Sequence, residues 1–330
     1  MMNNYISPVL TSYGSLNMRK GYFRQFFQSF IFGSKNTMIE QSRFSQFLQS
    51  SVIVGETTTV IYTNIKISVS ESNFIDITTG SDGGAIRFTN CDASVKYCSF
   101  INCYSSLKGG GFSHSGSNLE MRGSVFVKCR VGSNSNQAGR CFFSKSTTRT
   151  IDCSVFSESS FSTSGGDSTF SVVDGLLSIK NLNISYCSGS MGAVGGEMVN
   201  IEPNSDYSYT IIVGGVDYCV LYTYLKPMNY SHMIITKSTP SVAMFLPEPG
   251  QYIKIFDSLI WDCLKKISND RVYFVNVQSD YAYASSIILV SSYPDTTIDL
   301  RKCGFSNNVI TSGHTKHAPS LLIFSIFLII

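Results

Sequence analysis

The segment around the only tryptophan of the chain carries the side chains that acid–base chemistry needs. Lys254, Asp257 and Asp262 flank Trp261, and polysaccharide lyases and hydrolases use clustered carboxylates with a nearby Lys or Arg as acid, base or calcium ligand. One 26-residue offset earlier the chain offers only Met228, Ser231 and Thr236, which supply no acid. We therefore predict no catalytic residues and no enzyme activity, and keep a polysaccharide lyase or hydrolase as the alternative.

The four histidines have no evident nucleophile or acid partner in the sequence: His114, His232, His314 and His317. Ten cysteines are present, without the close paired spacing of a zinc site. We predict no metal site and no cofactor. The recurring Cys103, Cys129 and Cys187 have three interpretations: small residues that fill a tight corner, which we favour, a disulfide between neighbouring repeats, or metal ligands.

Composition favours many short strands joined by turns. Charged residues make up 14% and hydrophobic residues 43% of the 330 residues, and Ser, Thr, Asn and Gly fill most of the remainder. The net charge of +3 comes from scattered Lys and Arg without a basic cluster. We therefore predict no nucleic-acid partner.

A repeat of 26–30 residues runs through the chain. With Phe100 as the reference, equivalent residues recur at spacings of 30, 26, 26, 30 and 28 residues and then more irregularly, at Phe44, Phe74, Phe126, Phe156, Ile184, Ile260 and Phe305. Weaker references are Ile212, Ile234 and Ile288. Repeats of this length indicate a solenoid.

Apolar residues precede each reference at fixed distances. Five residues earlier stand Ile39, Val69, Val95, Met121, Ile151, Ile179, Ile255 and Leu300, and seven residues earlier Ile67, Leu119, Leu177, Ile253 and Ile298. This alternation indicates a strand with one buried face, and the odd step to the reference requires a corner. An earlier strand is expected at Phe30, Val60, Ile86, Phe112, Phe142, Phe170 and Leu246, often after glycines.

These patterns predict an all-β fold: a right-handed parallel β-helix, or solenoid, of about ten coils with a short N-terminal cap. We expect an irregular cap over residues 1–29, helical or irregular at 15–28 because Phe23, Phe26, Phe27 and Phe30 recur at helical steps. The β-helix itself is expected over residues 30–310. Buried references should form one column, and Lys96, Arg122, Asp152 and Lys180 should lie exposed, as a solvated charge ladder or as a stripe for anionic glycans.

Both ends of the sequence were searched for a secretion signal and a membrane anchor. The first ten residues are only weakly apolar and a basic pair, Arg19 and Lys20, follows them, so no standard signal peptide is predicted. Residues 311–330 are predicted as a C-terminal tail that ends in ten apolar residues, Leu321–Ile330. That stretch is about half a membrane span, and fits a truncated anchor, a lipid-anchor signal after Ser312 and Gly313, or a buried end strand.

Two short motifs carry a family resemblance. The segments "GGAI" (Gly83–Ile86) and "SFINC" (Ser99–Cys103) resemble the GGAI and FxxN repeats of chlamydial polymorphic membrane proteins and of the Pmp-like surface proteins of trichomonads. The intact Asn of FxxN occurs at Phe305–Asn308, and Cys or Ser replaces it elsewhere. The resemblance implies a β-helical passenger displayed at a cell surface and used in adhesion.

We therefore predict a non-enzymatic surface or adhesive scaffold that presents an extended β-helical face to a protein or glycan ligand. The expected location is the cell surface or the extracellular space, and membrane association through the tail stays open. N-x-S sequons at Asn183 and Asn229 agree with a secretory route. The corner loops at about 104–109 and 132–138 are the expected first contact regions. A structural spacer without a ligand is a further alternative.

Overall fold

A computed structural model shows an all-β parallel solenoid, as predicted. It describes residues 10–12, 15–26, 31–33, 36–54, 65–132, 139, 141–159, 168–187, 193, 196–215, 219–263, 271–279, 287–288, 297–299 and 309–311. No helix occurs within these ranges, and so none that could span a membrane. About seven turns form the body of the solenoid, and strands at each end extend the same ladders. The predicted count of about ten coils includes those ends and differs only slightly.

Each turn contributes up to three strands. The first stack contains β1 (Leu10–Ser12), β4 (Ile31–Gly33), β7 (Val52–Val54), β11 (Ile86–Thr89), β15 (Phe112–Arg122), β18 (Phe142–Asp152), β20 (Phe170–Val173), β23 (Glu197–Val199), β26 (Cys219–Tyr224) and β29 (Ala243–Pro247). The second contains β2 (Leu16–Arg19), β5 (Thr37–Glu40), β8 (Lys66–Ser70), β12 (Asp92–Lys96), the later halves of β15 and β18, β21 (Leu176–Lys180), β24 (Asp206–Ser208), β27 (Met228–Ser231), β30 (Ile253–Trp261) and β31 (Val272–Ser279).

The third stack carries the reference residues. It contains β3 (Tyr22–Arg24), β6 (Arg43–Ser45), β9 (Asn73–Ile75), β13 (Ser99–Ile101), β16 (Val125–Val127), β19 (Val155–Ser157), β22 (Asn183–Ser185), β25 (Ile211–Val213), β28 (Ile234–Thr236) and the end of β30. Short strands beside it are β10 (Thr78–Thr79), β14 (Tyr104–Ser105) and β17 (Arg130–Val131). At the C-terminal end lie β32 (Ile287–Ile288), β33 (Thr297–Asp299) and β34 (Val309–Thr311).

The predicted core columns are confirmed. Parallel pairing places Phe44, Phe74, Phe100, Phe126, Phe156 and Ile184 in register, and all are fully buried. Phe126 stacks between Phe100 and Phe156 with ring centroids 4.4 and 4.9 Å away. The second column joins Ile39, Val69, Val95, Met121, Ile151 and Ile179. Coil stacking therefore converts a sequence repeat into continuous apolar ladders.

One-residue corners explain why the phase of burial flips. The residues between the second and third strands all have a left-handed backbone, with φ between 46° and 59° where coils are regular, as at Glu71, Tyr97, Gly123, Cys153 and Asn181. A single left-handed residue reverses the direction in which the next side chain points, so the reference faces inward again. At Gly123 the Tyr97 ring of the preceding coil lies over the corner, and a Cβ there would be 2.5 Å from it.

Several register predictions were wrong. The column residue is Ile235 and not Ile234, because Ile235 pairs with Ile212. Ile288 pairs with Val275 in another ladder. In the first stack Ile86 pairs with Val52 and not Val60, and the inward residue near 246 is Phe245, which is fully buried.

The two ends also differ from prediction. Leu16–Arg19 and Tyr22–Arg24 form solenoid strands, so the helical or irregular cap over 15–28 is wrong there; Phe23 and Phe26 stack on Phe44 and Phe47. Ile298 does not continue a coil, because its strand pairs antiparallel with Val309–Thr311. Phe27–Phe30, Val60, Leu300, Phe305 and the tail at 312–330 lie outside the described residues.

Candidate functional site

The residues that suggested acid–base chemistry occupy corner positions. Asp257 and Asp262 have φ of 46° and 53° and end the second and third strand segments of one coil. Asp257 accepts a hydrogen bond from Asn276 Nδ2 of the next coil at 2.6 Å, as Asp76 does from Asn102 at 2.8 Å. Asp257 therefore belongs, like Asp76, to a ladder of side chains that bridges the corners of successive coils.

The remaining members of that group are also engaged by neighbours. Lys254 Nζ lies 5.2 Å from the centre of the Tyr252 ring, and Trp261 packs against an apolar cluster on the outside of the solenoid. No group of three or more metal-ligating side chains could hold an ion within the described ranges. What the structure shows for these residues is packing and corner bridging.

One predicted histidine lies inside the solenoid. His114 is fully buried, with Nδ1 2.8 Å from Ser146 Oγ and Nε2 2.9 Å from the carbonyl oxygen of Cys91. Burial lowers its pKa to about 4, so it is neutral at physiological pH. His232 is a corner residue that stacks on Tyr209 at 4.5 Å, and His314 and His317 lie outside the described residues.

A buried arginine interrupts the apolar column that precedes the references. Arg149 stands between Leu119 and Leu177 and is 2% exposed. Its guanidinium donates to the carbonyl oxygens of Ser146, Val173 and Asp174 at 2.6–2.8 Å. Desolvation lowers its pKa from 12.5 to about 10, so it stays charged at neutral pH and its guanidinium satisfies three backbone carbonyl oxygens. The sequence pattern did not predict this burial, because an arginine is expected at an exposed position.

The cysteine column is structural. Cys103, Cys129 and Cys187 are fully buried, and their thiols donate to carbonyl oxygens of the preceding coil, at 3.6, 3.3 and 3.7 Å. The interpretation as small buried residues is confirmed. Burial also raises the pKa of Cys91 and Cys98 to about 12, which makes those thiols unreactive.

The predicted charge column is a ladder of ion pairs between coils. Lys96 Nζ lies 2.8 Å from Glu120, Arg122 Nε lies 3.9 Å from Asp152, and Lys180 Nζ lies 3.0 Å from Asp206. All six side chains are 30–49% exposed. Opposite charges thus compensate one another along the rod, which favours the solvated ladder over a stripe for anionic ligands.

A long groove lies beside this ladder on the outer face of the second stack. Its volume is about 750 Å³, and its walls span successive coils from Ser15 to Thr150. One row of its lining stands eight residues before each reference: Ser15, Asn36, Lys66, Asp92, Asn118 and Thr148. A second row stands six residues before: Asn17, Met38, Ser68, Ser94, Glu120 and Thr150. We call these two rows the polar groove.

Hydrogen bonds between coils fix the side chains of the polar groove. Asn36 Oδ1 accepts from the Lys66 amide at 2.8 Å. Asp92 Oδ1 accepts from both the amide and the Nδ2 of Asn118, at 3.1 and 2.9 Å, and Asn118 Oδ1 accepts from the Thr148 hydroxyl. The groove therefore presents a row of amide, carboxylate and hydroxyl groups in fixed positions. In the sequence this row is visible as a polar residue eight positions before the reference. Such a residue is easily interpreted as part of a turn.

The two corner loops expected to make first contact are only partly described. In the first, Lys108 Nζ lies 4.9 Å from the centre of the Phe143 ring, and Leu107 is 45% exposed. Residues 133–138 of the second lie outside the described residues. That these two loops make the first contact with a ligand therefore stays a prediction.

Comparison with known proteins adds no relative. No protein-family model, curated protein or solved structure matches the chain. The parallel solenoid is a property that the Pmp-like resemblance implied and the structure shows.

Proposed function

We propose that the protein is a non-enzymatic, extracellular scaffold that binds a glycan along the polar groove. The observation that carries the proposal is the groove itself: about 750 Å³ and open along several coils. Asn, Ser and Thr make up about half of its lining, and the rest consists of apolar residues (Leu16, Met38, Ile67, Ala93 and Leu119) and three charged ones (Lys66, Asp92 and Glu120). Neutral hydroxyls of a sugar chain are matched by such donors and acceptors. The neighbouring ion pairs leave little net charge for an anionic polymer.

Coil spacing favours a glycan over an extended peptide. Stacked strands are about 4.8 Å apart, so equivalent groove residues recur at that interval along the rod. A peptide strand advances about 3.3 Å per residue and presents equivalent side chains at about twice that distance, which matches neither one coil nor two. Backbone groups of the second strands are already paired within the solenoid, so the groove offers no free sheet edge for strand addition.

The proposed location is the cell surface or the extracellular space. The resemblance to Pmp-like surface proteins supports it, as does the disulfide at Cys153, since disulfides persist in oxidising compartments. Proteolysis of intact cells from outside tests display. Loss of the protein signal supports it, and full protection while a known surface protein is cleaved would end the adhesion proposal.

Binding is tested with a panel of neutral and acidic polysaccharides and a variant that fills the groove. Ser94→Trp places an indole in the second row of the polar groove. Ser178→Trp places the same side chain at the equivalent outward position beyond the groove. We expect Ser94→Trp to weaken binding of a neutral glycan by about tenfold or more, which is about 1.4 kcal/mol, and Ser178→Trp to bind normally. Equal loss in both variants, or binding of no glycan, would contradict the proposal.

The same panel separates the alternatives. Release of shortened or unsaturated products would show a lyase or hydrolase, and no binding by a displayed, folded protein would favour a structural spacer. Neither alternative has a described cluster of residues in its support.

A further inference from the structure

The outer face of the second stack changes character along the solenoid. In the early coils it carries the polar groove, whose second row includes Ser94. Strand pairing continues that row into the late coils, where its members are Asn229, Lys254 and Tyr273. Lys254 lies six coils beyond Ser94, which is roughly 29 Å along the rod. One face of the rod therefore presents two different surfaces.

The late surface is rich in exposed aromatic and apolar side chains. Tyr252, Tyr273 and Val275 are 36%, 45% and 38% exposed, and Lys254 and Phe256 beside them are half-buried. Pairing of β30 with β31 sets Lys254 opposite Tyr273 and Phe256 opposite Val275. We call these five residues the tyrosine patch. Apolar side chains that stay exposed as a group, with polar groups among them, mark binding sites.

The rings of the tyrosine patch are set at an angle. The centres of Tyr252 and Tyr273 are 6.0 Å apart and their planes make an angle of 78°, so the face of one ring meets the edge of the other. Each ring combines an apolar surface with a hydroxyl that can donate and accept a hydrogen bond. A sugar ring has the matching chemistry, because its C–H groups pack on an aromatic ring and its hydroxyls bond to polar groups.

Lys254 adds a positive charge to this surface. Lysines of the neighbouring coils on this face have carboxylate partners, as in the ion pairs of Lys96 with Glu120 and of Lys180 with Asp206. Among the described residues the Lys254 ammonium makes no ion pair, and it lies 5.2 Å from the centre of the Tyr252 ring. An anionic ligand group would supply the partner that the other lysines find within the chain.

We propose that the tyrosine patch binds a sugar residue that carries a carboxylate. The sugar ring packs against Tyr273, and the carboxylate accepts a hydrogen bond from the Lys254 ammonium. The backbone of β30 is already paired with β27 and β31, so an extended peptide cannot add to it as a strand. This inference goes beyond the neutral glycan proposed for the polar groove, and it uses none of the groove residues.

Titration calorimetry on the full chain tests the site, with sialyllactose as the acidic probe and lactose as the matched neutral probe. We expect sialyllactose to bind more tightly than lactose by about fivefold or more at low salt, because only sialyllactose offers a carboxylate to Lys254. Lys254→Gln should abolish that preference and Lys254→Arg should keep it. Tyr273→Ala should weaken the binding of sialyllactose by about fivefold, because the ring platform is lost.

Two control variants match these changes. Lys226→Gln removes a late-coil lysine that is paired with Glu202 at 2.9 Å. Tyr97→Ala removes a tyrosine that is 51% exposed at a corner of an early coil. Both controls should bind sialyllactose like the unmodified protein. A loss in the controls equal to that in the patch variants would contradict a site at the tyrosine patch.

Three further results would overturn the proposal. The first is the absence of sialyllactose binding, and the second is equal affinity for sialyllactose and lactose. The third is binding of a glutamate-rich peptide or of anionic phospholipid vesicles, lost in Tyr273→Ala, by a protein that does not bind sialyllactose; this would assign the patch to a protein or a lipid surface. Ser94→Trp should leave sialyllactose binding unchanged, so failure of the patch proposal and failure of the groove proposal are distinguishable.

Discussion

The early and late coils share one interior and differ in their exteriors. At the same ladder position Arg43 and Asn73 face solvent, whereas Ile234 and Leu259 are buried outside the core. The burial of inward residues does not change over this distance, since Phe44, Phe100 and Ile235 are all fully buried in one column. A solenoid thus separates the residues that stabilise it from those that can recognise something, and the second set can change coil by coil.

The largest effect is expected where both regions are alike, in the shared core. Phe126→Ala should lower the free energy of unfolding by about 3–5 kcal/mol, because it leaves a cavity between Phe100 and Phe156. The outward Lys96→Ala should cost under about 0.5 kcal/mol. A lower urea midpoint for Lys96→Ala than for Phe126→Ala would show that the inner and outer faces have been assigned the wrong way round.

The next effect concerns pH and the buried His114. The folded-state pKa of His114 is lowered from 6.5 to about 4, so between these values the unfolded chain binds a proton that the folded chain does not. Stability is therefore lost as pH falls from about 6.5 to 4, by about 3 kcal/mol for this group. His114→Asn should remove that part of the pH dependence of urea unfolding. An unchanged slope in the variant would show that His114 is not buried as described.

A matched pair of substitutions probes the exterior contrast itself. Ile211→Ala should lower the free energy of unfolding by about 2 kcal/mol because its side chain is buried in an apolar cluster on the outer side of the third stack. Asn73→Ala, at the equivalent exposed position, should cost under about 0.5 kcal/mol. Chemical denaturation of both variants gives the difference, and similar costs would remove the distinction between the two regions.

The smallest effect is expected for the exposed ion pairs. A double-mutant cycle on Lys96 and Glu120 should give a coupling below about 1 kcal/mol, because both side chains are more than a third exposed. The coupling should fall further at high salt. A large, salt-resistant value would mean that the charge ladder contributes to stability in a way its exposure does not suggest.

Sequence patterns predicted the fold wherever inward and outward residues differ in polarity. Val95 and Met121 stand between polar neighbours, so their burial was predictable. Met233, Ile234 and Ile235 are all apolar, and the period-two signal cannot choose among them, which explains the one-residue error. For the same reason the sequence did not predict the apolar cluster on the outer side of the late coils. An outward isoleucine cannot be distinguished from an inward one before the register of the coils is known.

The candidate site was less predictable than the fold. The polar groove depends on coils lying in register, since Asn36 and Asn118 are far apart in sequence and belong to one row only after stacking. The position of the acidic residues could not be predicted for a related reason: Asp257 and Asp262 are close in sequence, yet each occupies a separate left-handed corner. In a solenoid, residues that are close in sequence need not belong to one site, and residues one coil apart can.

The most direct test of this account is thiol labelling at one ladder position in the two regions. Asn73→Cys and Ile234→Cys place a thiol at equivalent outward positions, in a chain whose described cysteines are all buried. In the native protein we expect a maleimide to modify Asn73→Cys rapidly, and Ile234→Cys only after unfolding, because Ile234 is 1% exposed. Equally rapid modification of both would show that the late coils have an open exterior and would contradict the division of the molecule described above.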